Sequence, residues 1–213
     1  GSRPRQTRGW PSVAPCAAVR YTQALFFFYS PLQVFPRAMI ESNMSKAYDH
    51  VEWSFLEGMM RKMGFREEFV QLIMKCVSSV SYRFEVNNTL SDVVVPGRGL
   101  RQGDSISPYL FLLCAEGLSA MLNKADEENR IKGIKLAPIA PRVNHLLFAD
   151  DSLLVLEATT QGVSMINSIL QAYEEGSGQM INHEKSSVVF SSNAKQPHKN
   201  LLLQELQLGN EST

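Results

Sequence analysis

His145-Leu-Leu-Phe-Ala-Asp-Asp-Ser152, continued by Leu153-Leu-Val-Leu156, sets two adjacent carboxylates inside an apolar stretch. Runs rich in Val, Leu and Phe read as buried strands, and Ala149-Asp150-Asp151 is placed as the tip of a hairpin between two of them. A bare carboxylate is costly to desolvate unless it is paired or coordinates a cation. Asp150 and Asp151 are therefore either solvated turn residues, a common setting for Asp, or ligands of a divalent metal. The neighbouring segments must decide.

Upstream, Val51, Phe55, Leu56, Met59, Met60 and Met63 recur at helical spacing and Gly64 offers a stop. Asp49 followed by Glu52 has the form of a capping box for that helix. A second helix is predicted from Glu67 to about Ser78, with Phe69, Leu72, Ile73, Cys76 and Val77 as its inward stripe. Tyr82 to Val86 and Val93 to Val95 flank Asn87-Asn88, which reads as a hairpin. Gly97-Arg-Gly-Leu-Arg-Gln-Gly103 is a flexible segment, after which Ser107 as cap and Pro108 at the first position open a long helix to about Asn129. Strands are expected around Ile131 to Leu136 and Val143 to Leu156. A helix is expected from Gln161 to Glu175, broken by Ser177-Gly178, and Lys185 to Ser191 is placed as the last strand. Helices mixed with antiparallel hairpins imply an α+β architecture, a sheet covered on one face by helices.

With 213 residues the chain can bury one good core, so one domain, whole or partial, is expected. Lys plus Arg balance Asp plus Glu at 21 each, so the strong basic field typical of nucleic-acid binders is missing overall. Cys16, Cys76 and Cys114 match no metal pattern and read as reduced, mostly core residues of an intracellular protein. His50, His145, His183 and His198 form no zinc constellation. Residues 1–38 stand apart. They carry Arg3, Arg5, Arg8, Arg20 and Arg37 without an acidic residue, and the apolar run Ala24 to Tyr29 is too short for a bilayer span of about 20 residues. Their charge resembles an organellar transit peptide, but without periodicity or an initiator Met they read as poorly ordered flanking sequence, leaving a nuclear or cytoplasmic location.

Four segments in fixed order carry a resemblance. Met44-Ser-Lys-Ala-Tyr-Asp-His-Val-Glu-Trp53, Gly99-Leu-Arg-Gln-Gly-Asp-Ser-Ile-Ser-Pro-Tyr-Leu-Phe111, His145 to Asp151, and Tyr173-Glu-Glu-Gly-Ser-Gly-Gln-Met-Ile-Asn-His-Glu-Lys-Ser186 resemble motifs A, B, C and D of reverse transcriptases. The likeness is to those of LINE-type, non-LTR retrotransposons of plants. It covers roughly residues 39–208 and leaves 209–213 as a tail. It implies a partial palm, with fingers and thumb largely missing, from an RNA-directed DNA polymerase that takes an RNA template, a DNA primer and dNTPs, with no membrane association.

The resemblance also implies two Mg2+ ions (Mn2+ is an alternative) about 4 Å apart, held by one motif A Asp and the first motif C Asp. These positions correspond to residue 43 and Asp150, with Asp151 auxiliary. Residue 43 is Asn: the usual Leu-Asp-Met-Ser-Lys-Ala reads Ser42-Asn-Met-Ser-Lys-Ala here. Losing that charge is expected to cost several kcal/mol in the transition state, about a thousandfold or more in rate. Neither Glu41, two residues up the same strand, nor Asp49, placed as a cap, is expected to replace it. Tyr48 matches the aromatic that stacks under the sugar, its plain alternative being a core ring. Gln102 and Gly103 match the loop lining the nucleotide, where Ser105 stands for the usual Pro. Arg101 is a candidate for phosphate or template contact, and Lys185 for the general acid toward pyrophosphate; each is otherwise a surface charge. The expected function is thus a retrotransposon reverse transcriptase fragment inactive as it stands. The alternatives are a non-catalytic nucleic-acid-binding remnant and a decayed genomic copy without function.

Overall fold

The computed structural model describes residues 36–135 and 139–206. The expectations for residues 1–35, including the poorly ordered N-terminal segment and Cys16, lie outside the described residues, as do Leu136 and the tail.

A long strand, β1 (Arg37–Ser45), organises the sheet. Along one edge it pairs antiparallel with β7 (Asp151–Glu157), from Arg37 opposite Glu157 to Asn43 opposite Asp151. β7 in turn pairs with β6 (His145–Phe148), the other arm of the Asp-bearing hairpin. The second edge of β1 is shared by β9 (Ser187–Phe190), opposite Ala38 to Glu41, and by the two-residue β8 (Met180–Ile181), opposite Met44 and Ser45. Two short hairpins stand off this sheet: β2 (Glu85–Val86) with β3 (Thr89–Leu90), and β4 (Ile134–Lys135) with β5 (Arg142–Val143).

Strand alternation decides which face is covered. Ala38 and Ile40 of β1, Leu154 and Leu156 of β7, and Val188 and Phe190 of β9 point to one side and join the hydrophobic core. Helices close that side: α1 (Trp53–Lys62), α2 (Glu67–Ser78), α3 (Ser107–Glu127), α4 (Thr160–Ser177) and α5 (Gln196–Leu206). Leu56 and Met60 of α1, Leu118 and Leu122 of α3, Ile166 of α4 and Leu202 of α5 are all under 2 % exposed. The antiparallel sheet with helices on one face is the α+β arrangement that the sequence implied.

Several local expectations change. α1 begins at Trp53 with Glu52 as its capping residue and no side-chain cap bond, so Asp49 is not a helix cap. A turn intervenes, closed by the Asp49 amide donating to the Lys46 carbonyl at 2.8 Å. α2 has the expected bounds but not the expected stripe: Val70 and Ile73 are buried, whereas Phe69, Leu72 and Cys76 are exposed. Met63 is likewise exposed. Ser107 lies inside α3, where Ile106 takes the capping position and Asp104 Oδ1 accepts from the Ile106 amide at 3.2 Å. α4 has a true cap: Thr159 Oγ1 accepts from the Gly162 amide at 3.1 Å, and Gly178 ends the helix at φ 74. β9 is the last strand among the described residues, as expected, and the helix α5, which was not expected, follows it.

Candidate active site

The hairpin tip and the end of β1 come together because β7 pairs with both β6 and β1. Phe148 opposite Asp151 closes the hairpin through Ala149 and Asp150. Ala149 sits at φ 52, a conformation in which a non-glycine residue is strained. The sheet holds the tip from the other side, since the Met44 amide donates to the Asp150 carbonyl at 2.9 Å.

Asn43 faces Asp151 across the strands, and its side-chain amide reaches both carboxylates. Nδ2 donates to Asp151 Oδ1 at 2.9 Å and to Asp150 Oδ2 at 3.4 Å. Three of the residues singled out in the sequence thus meet at one point. The chemistry there is that of a neutral donor set between two anions: N–H dipoles fill the gap where a third carboxylate would have demanded a cation. Among the described residues, no group of three or more His, Cys, Asp or Glu side chains is placed to hold a metal ion. The donors present are two carboxylates and one neutral amide, one anionic group fewer than an Asp at position 43 would give the paired Mg2+ ions that the resemblance implies. Glu41 is exposed and opposite Leu153 and Ser187, so it adds no charge at this point.

The backbone of Asn43 is anchored too. Its carbonyl accepts from the Asn182 amide at 2.8 Å, and its amide lies 3.4 Å from Ser186 Oγ, which itself donates to the Asn182 carbonyl at 2.7 Å. The loop between β8 and β9 is thereby hung on residue 43. Lys185 belongs to this loop, with its side chain exposed and its amide donating to Asn182. Asn182 and Ser186 carried no signal of this role, because a turn Asn and a Ser before an apolar strand are ordinary.

The loop of residues 97–103 is bound to the turn after β1 by main-chain bonds. The Gly99 amide donates to the Val51 carbonyl at 2.8 Å, and the Leu100 amide to the Tyr48 carbonyl at 2.7 Å. The Trp53 indole donates to the Gly99 carbonyl at 2.8 Å. Gly99 has φ 91, and a Cβ there would lie 2.8 Å from the Asp49 carbonyl oxygen. Only glycine permits this approach. Gly103, at φ 84, has open space around it. Gln102 Nε2 lies 3.4 Å from Asp49 Oδ1, the contact that occupies the carboxylate instead of helix capping. Arg101 is exposed and, with Arg98, Asp49 and Asp104, lines a cavity of about 250 Å3 beneath this loop. Tyr48 is half-buried and stacks on Phe111 of α3, centroids 5.0 Å apart and planes 14° from parallel. That contact fixes one face of the ring against α3.

Below the tip, His145 at the start of β6 ties the hairpin to α3. Its Nε2 lies 2.9 Å from Ser119 Oγ and its Nδ1 2.5 Å from Asn144 Oδ1. Burial lowers its pKa, against a smaller opposing pull from Glu116. Among the described residues no helix is long and apolar enough to cross a membrane.

Comparison with known proteins agrees with this geometry. Residues 36–203 match the family described as reverse transcriptase (RNA-dependent DNA polymerase). An uncharacterized mitochondrial protein of Arabidopsis thaliana is 52 % identical over 69 residues, 32 % of this chain and 57 % of that protein. The Transposon TX1 uncharacterized 149 kDa protein of Xenopus laevis is 27 % identical over 74 % of this chain and 12 % of its own length. A Pol polyprotein from the type-1 retrotransposable element R2 of Nasonia vitripennis is 32 % identical over 61 % of this chain and 12 % of its own length. The chain spans only part of each. In fold it is similar to telomerase from Candida tropicalis, with TM-score 0.60 at 12 % identity over 84 % of this chain and 36 % of that one. A match across most of the sequence, with Asn43 and the Asp pair meeting at one hairpin tip, places this chain in the reverse transcriptase (RNA-dependent DNA polymerase) family.

Proposed function

We infer that the chain is palm sequence from a plant LINE-type retrotransposon, built for RNA-templated DNA synthesis and silenced at its metal centre by Asn43. Residues 39–208 are the polymerase part in this reading. The family and the R2 and TX1 relatives support the retrotransposon origin, and the Arabidopsis likeness supports the plant source. The observation that carries the silencing is the Asn43 amide donating to both Asp150 and Asp151. Two carboxylates already satisfied by N–H donors attract a second cation poorly, and two metals are what neutralise the attacking and leaving oxygens in nucleotidyl transfer.

The other residues keep their assignments. Tyr48 supports the sugar, with Phe111 bracing its ring from behind. Gln102 and Gly103 line the base and backbone side of the nucleotide, Arg101 meets phosphate or template, and Lys185 supplies a proton to pyrophosphate. Template RNA, primer DNA and dNTPs are the partners, and the nucleus or cytoplasm the location.

The test is calorimetric titration of the whole chain with Mg2+ and Mn2+, beside a primer-extension assay on an RNA template. Asn43→Asp is expected to bind Mn2+ at least about tenfold more tightly, because it returns an anionic oxygen to the site. The unaltered chain is expected to extend no primer. Mg2+-dependent extension by it, or equal metal affinity in both proteins, would sink the reading.

A further inference from the structure

On the face of β1 turned away from Asn43, the next residue up the strand carries an unpaired polar atom. Ser42 is 2 % exposed and its hydroxyl oxygen has no hydrogen-bond partner. A buried polar atom in that state is costly. Ser42 lines a cavity of about 310 Å3 bounded by β1, α4, the β8–β9 loop and the end of α5. The resembling motif carries Leu at this position, and a Leu side chain here would take up part of that space.

The hydrogen bonds already made around the cavity decide what is left to offer. Asn167 donates one amide hydrogen to the Glu205 carbonyl, and Gln171 donates one to Glu175 at 3.0 Å. Glu174 accepts from the Ile181 amide through Oε1 at 2.6 Å, leaving Oε2. Ser186 has already given its proton to Asn182. The free positions are therefore two amide oxygens, one carboxylate oxygen and hydroxyl lone pairs, beside the second hydrogen of each amide and the Ser42 hydroxyl proton, so the unpaired Glu174 oxygen is the one free charge among them. Among the described residues no Lys or Arg lines the cavity, and His183 in its lining is exposed. Ile40, Leu170 and Ile181 supply an apolar wall.

We propose that this cavity is a binding site for a primary alkylammonium group. An ammonium brings three donors on a compact charge, which suits the free Glu174 oxygen and the Ser42 oxygen in the lining, and its methylene stem suits the apolar wall. Anions are opposed by Glu174. A guanidinium gains less, because Glu174 offers one free oxygen and so no bidentate clasp.

The test is titration of the full chain with n-butylammonium chloride and, separately, with n-butanol as a neutral molecule of like shape. Butylammonium is expected to bind at least about tenfold more tightly than butanol, since charge-assisted bonds are the stronger kind. Glu174→Gln keeps an oxygen for the Ile181 amide and should weaken butylammonium about tenfold. Ser42→Leu fills the cavity and should abolish binding, with the thermal midpoint unchanged or raised. Absence of butylammonium binding, equal binding of butanol, or an unchanged affinity in Glu174→Gln would each overturn the proposal. A third titration, with Nα-acetyl-lysine amide, assigns the source. Affinity matching butylammonium points to a protein lysine, and markedly weaker affinity to a free amine, both in support of the site.

Discussion

Two hairpins in this molecule are built on opposite principles. The β2–β3 hairpin has a favourable turn, Asn87-Asn88 at φ 51 and 60, yet pairs only two residues on each side and exposes all four. Asn is among the residues that tolerate this left-handed conformation. The β6–β7 hairpin has a poor turn residue, Ala149 at φ 52, yet β7 is buried from Ser152 to Leu156 and paired on both edges. Turn chemistry holds the first together; packing holds the second. A strained tip can persist only where the flanking sheet over-determines it, and the strained tip is the one bearing Asp150 and Asp151.

The contrast is broken most sharply by truncating an apolar residue in each hairpin. Leu154→Ala, at a position 0 % exposed, should cost about 2–5 kcal/mol of unfolding free energy. Leu90→Ala, at 61 % exposed, should stay within about 0.5 kcal/mol. Denaturant titrations of both variants measure this, and comparable losses would show that the β2–β3 hairpin shares the core's stability. Turn substitutions should then act in opposite directions. Ala149→Gly relieves a left-handed alanine and should stabilise by about 1 kcal/mol. Asn88→Ala should leave global unfolding almost unchanged while speeding amide exchange at Ser91, whose amide donates to the Phe84 carbonyl at 2.8 Å. Unchanged exchange there would mean that the turn is not what holds this hairpin.

The smallest effect concerns acid. Burial depresses the pKa of His145 in the folded chain. The unfolded chain therefore takes up a proton first as pH falls through about 6.5, and stability is lost from there down to the lower folded pKa. Above that window the contribution is complete. His145→Gln should flatten this part of a plot of denaturation midpoint against pH, whereas an unaltered slope would assign the acid sensitivity to other groups.

Legibility followed physical scale. Asn87-Asn88, the Asp hairpin, the bounds of α2 and the stop at Gly178 were readable because turn chemistry and apolar runs are local. The face that α2 buries was not. Periodicity predicts that Phe69, Leu72 and Ile73 share a side, but only the neighbouring elements decide that Val70 and Ile73 go inward. Asp49 and Glu52 satisfied a local pattern that the Lys46 turn and Gln102 displaced. α5 was missed because Gln196-Pro-His-Lys-Asn-Leu-Leu-Leu-Gln-Glu-Leu206 gathers its apolar residues in a run rather than a stripe. The meeting of Asn43 with the Asp pair came from motif order, but the bonds of its amide to both carboxylates needed coordinates.

The joint between the turn after β1 and the loop before α3 is made almost wholly of peptide groups: Gly99 to Val51, Leu100 to Tyr48. Such a joint is indifferent to most mutation. Tyr48, Val51 and Leu100 can each change side chain and still present the same carbonyl or amide, so a lineage released from selection would keep these segments in register long after its chemistry had gone. Gly99 is the exception, since any Cβ there runs into the Asp49 carbonyl. Drift should therefore separate the two segments in one step at that glycine, or not at all.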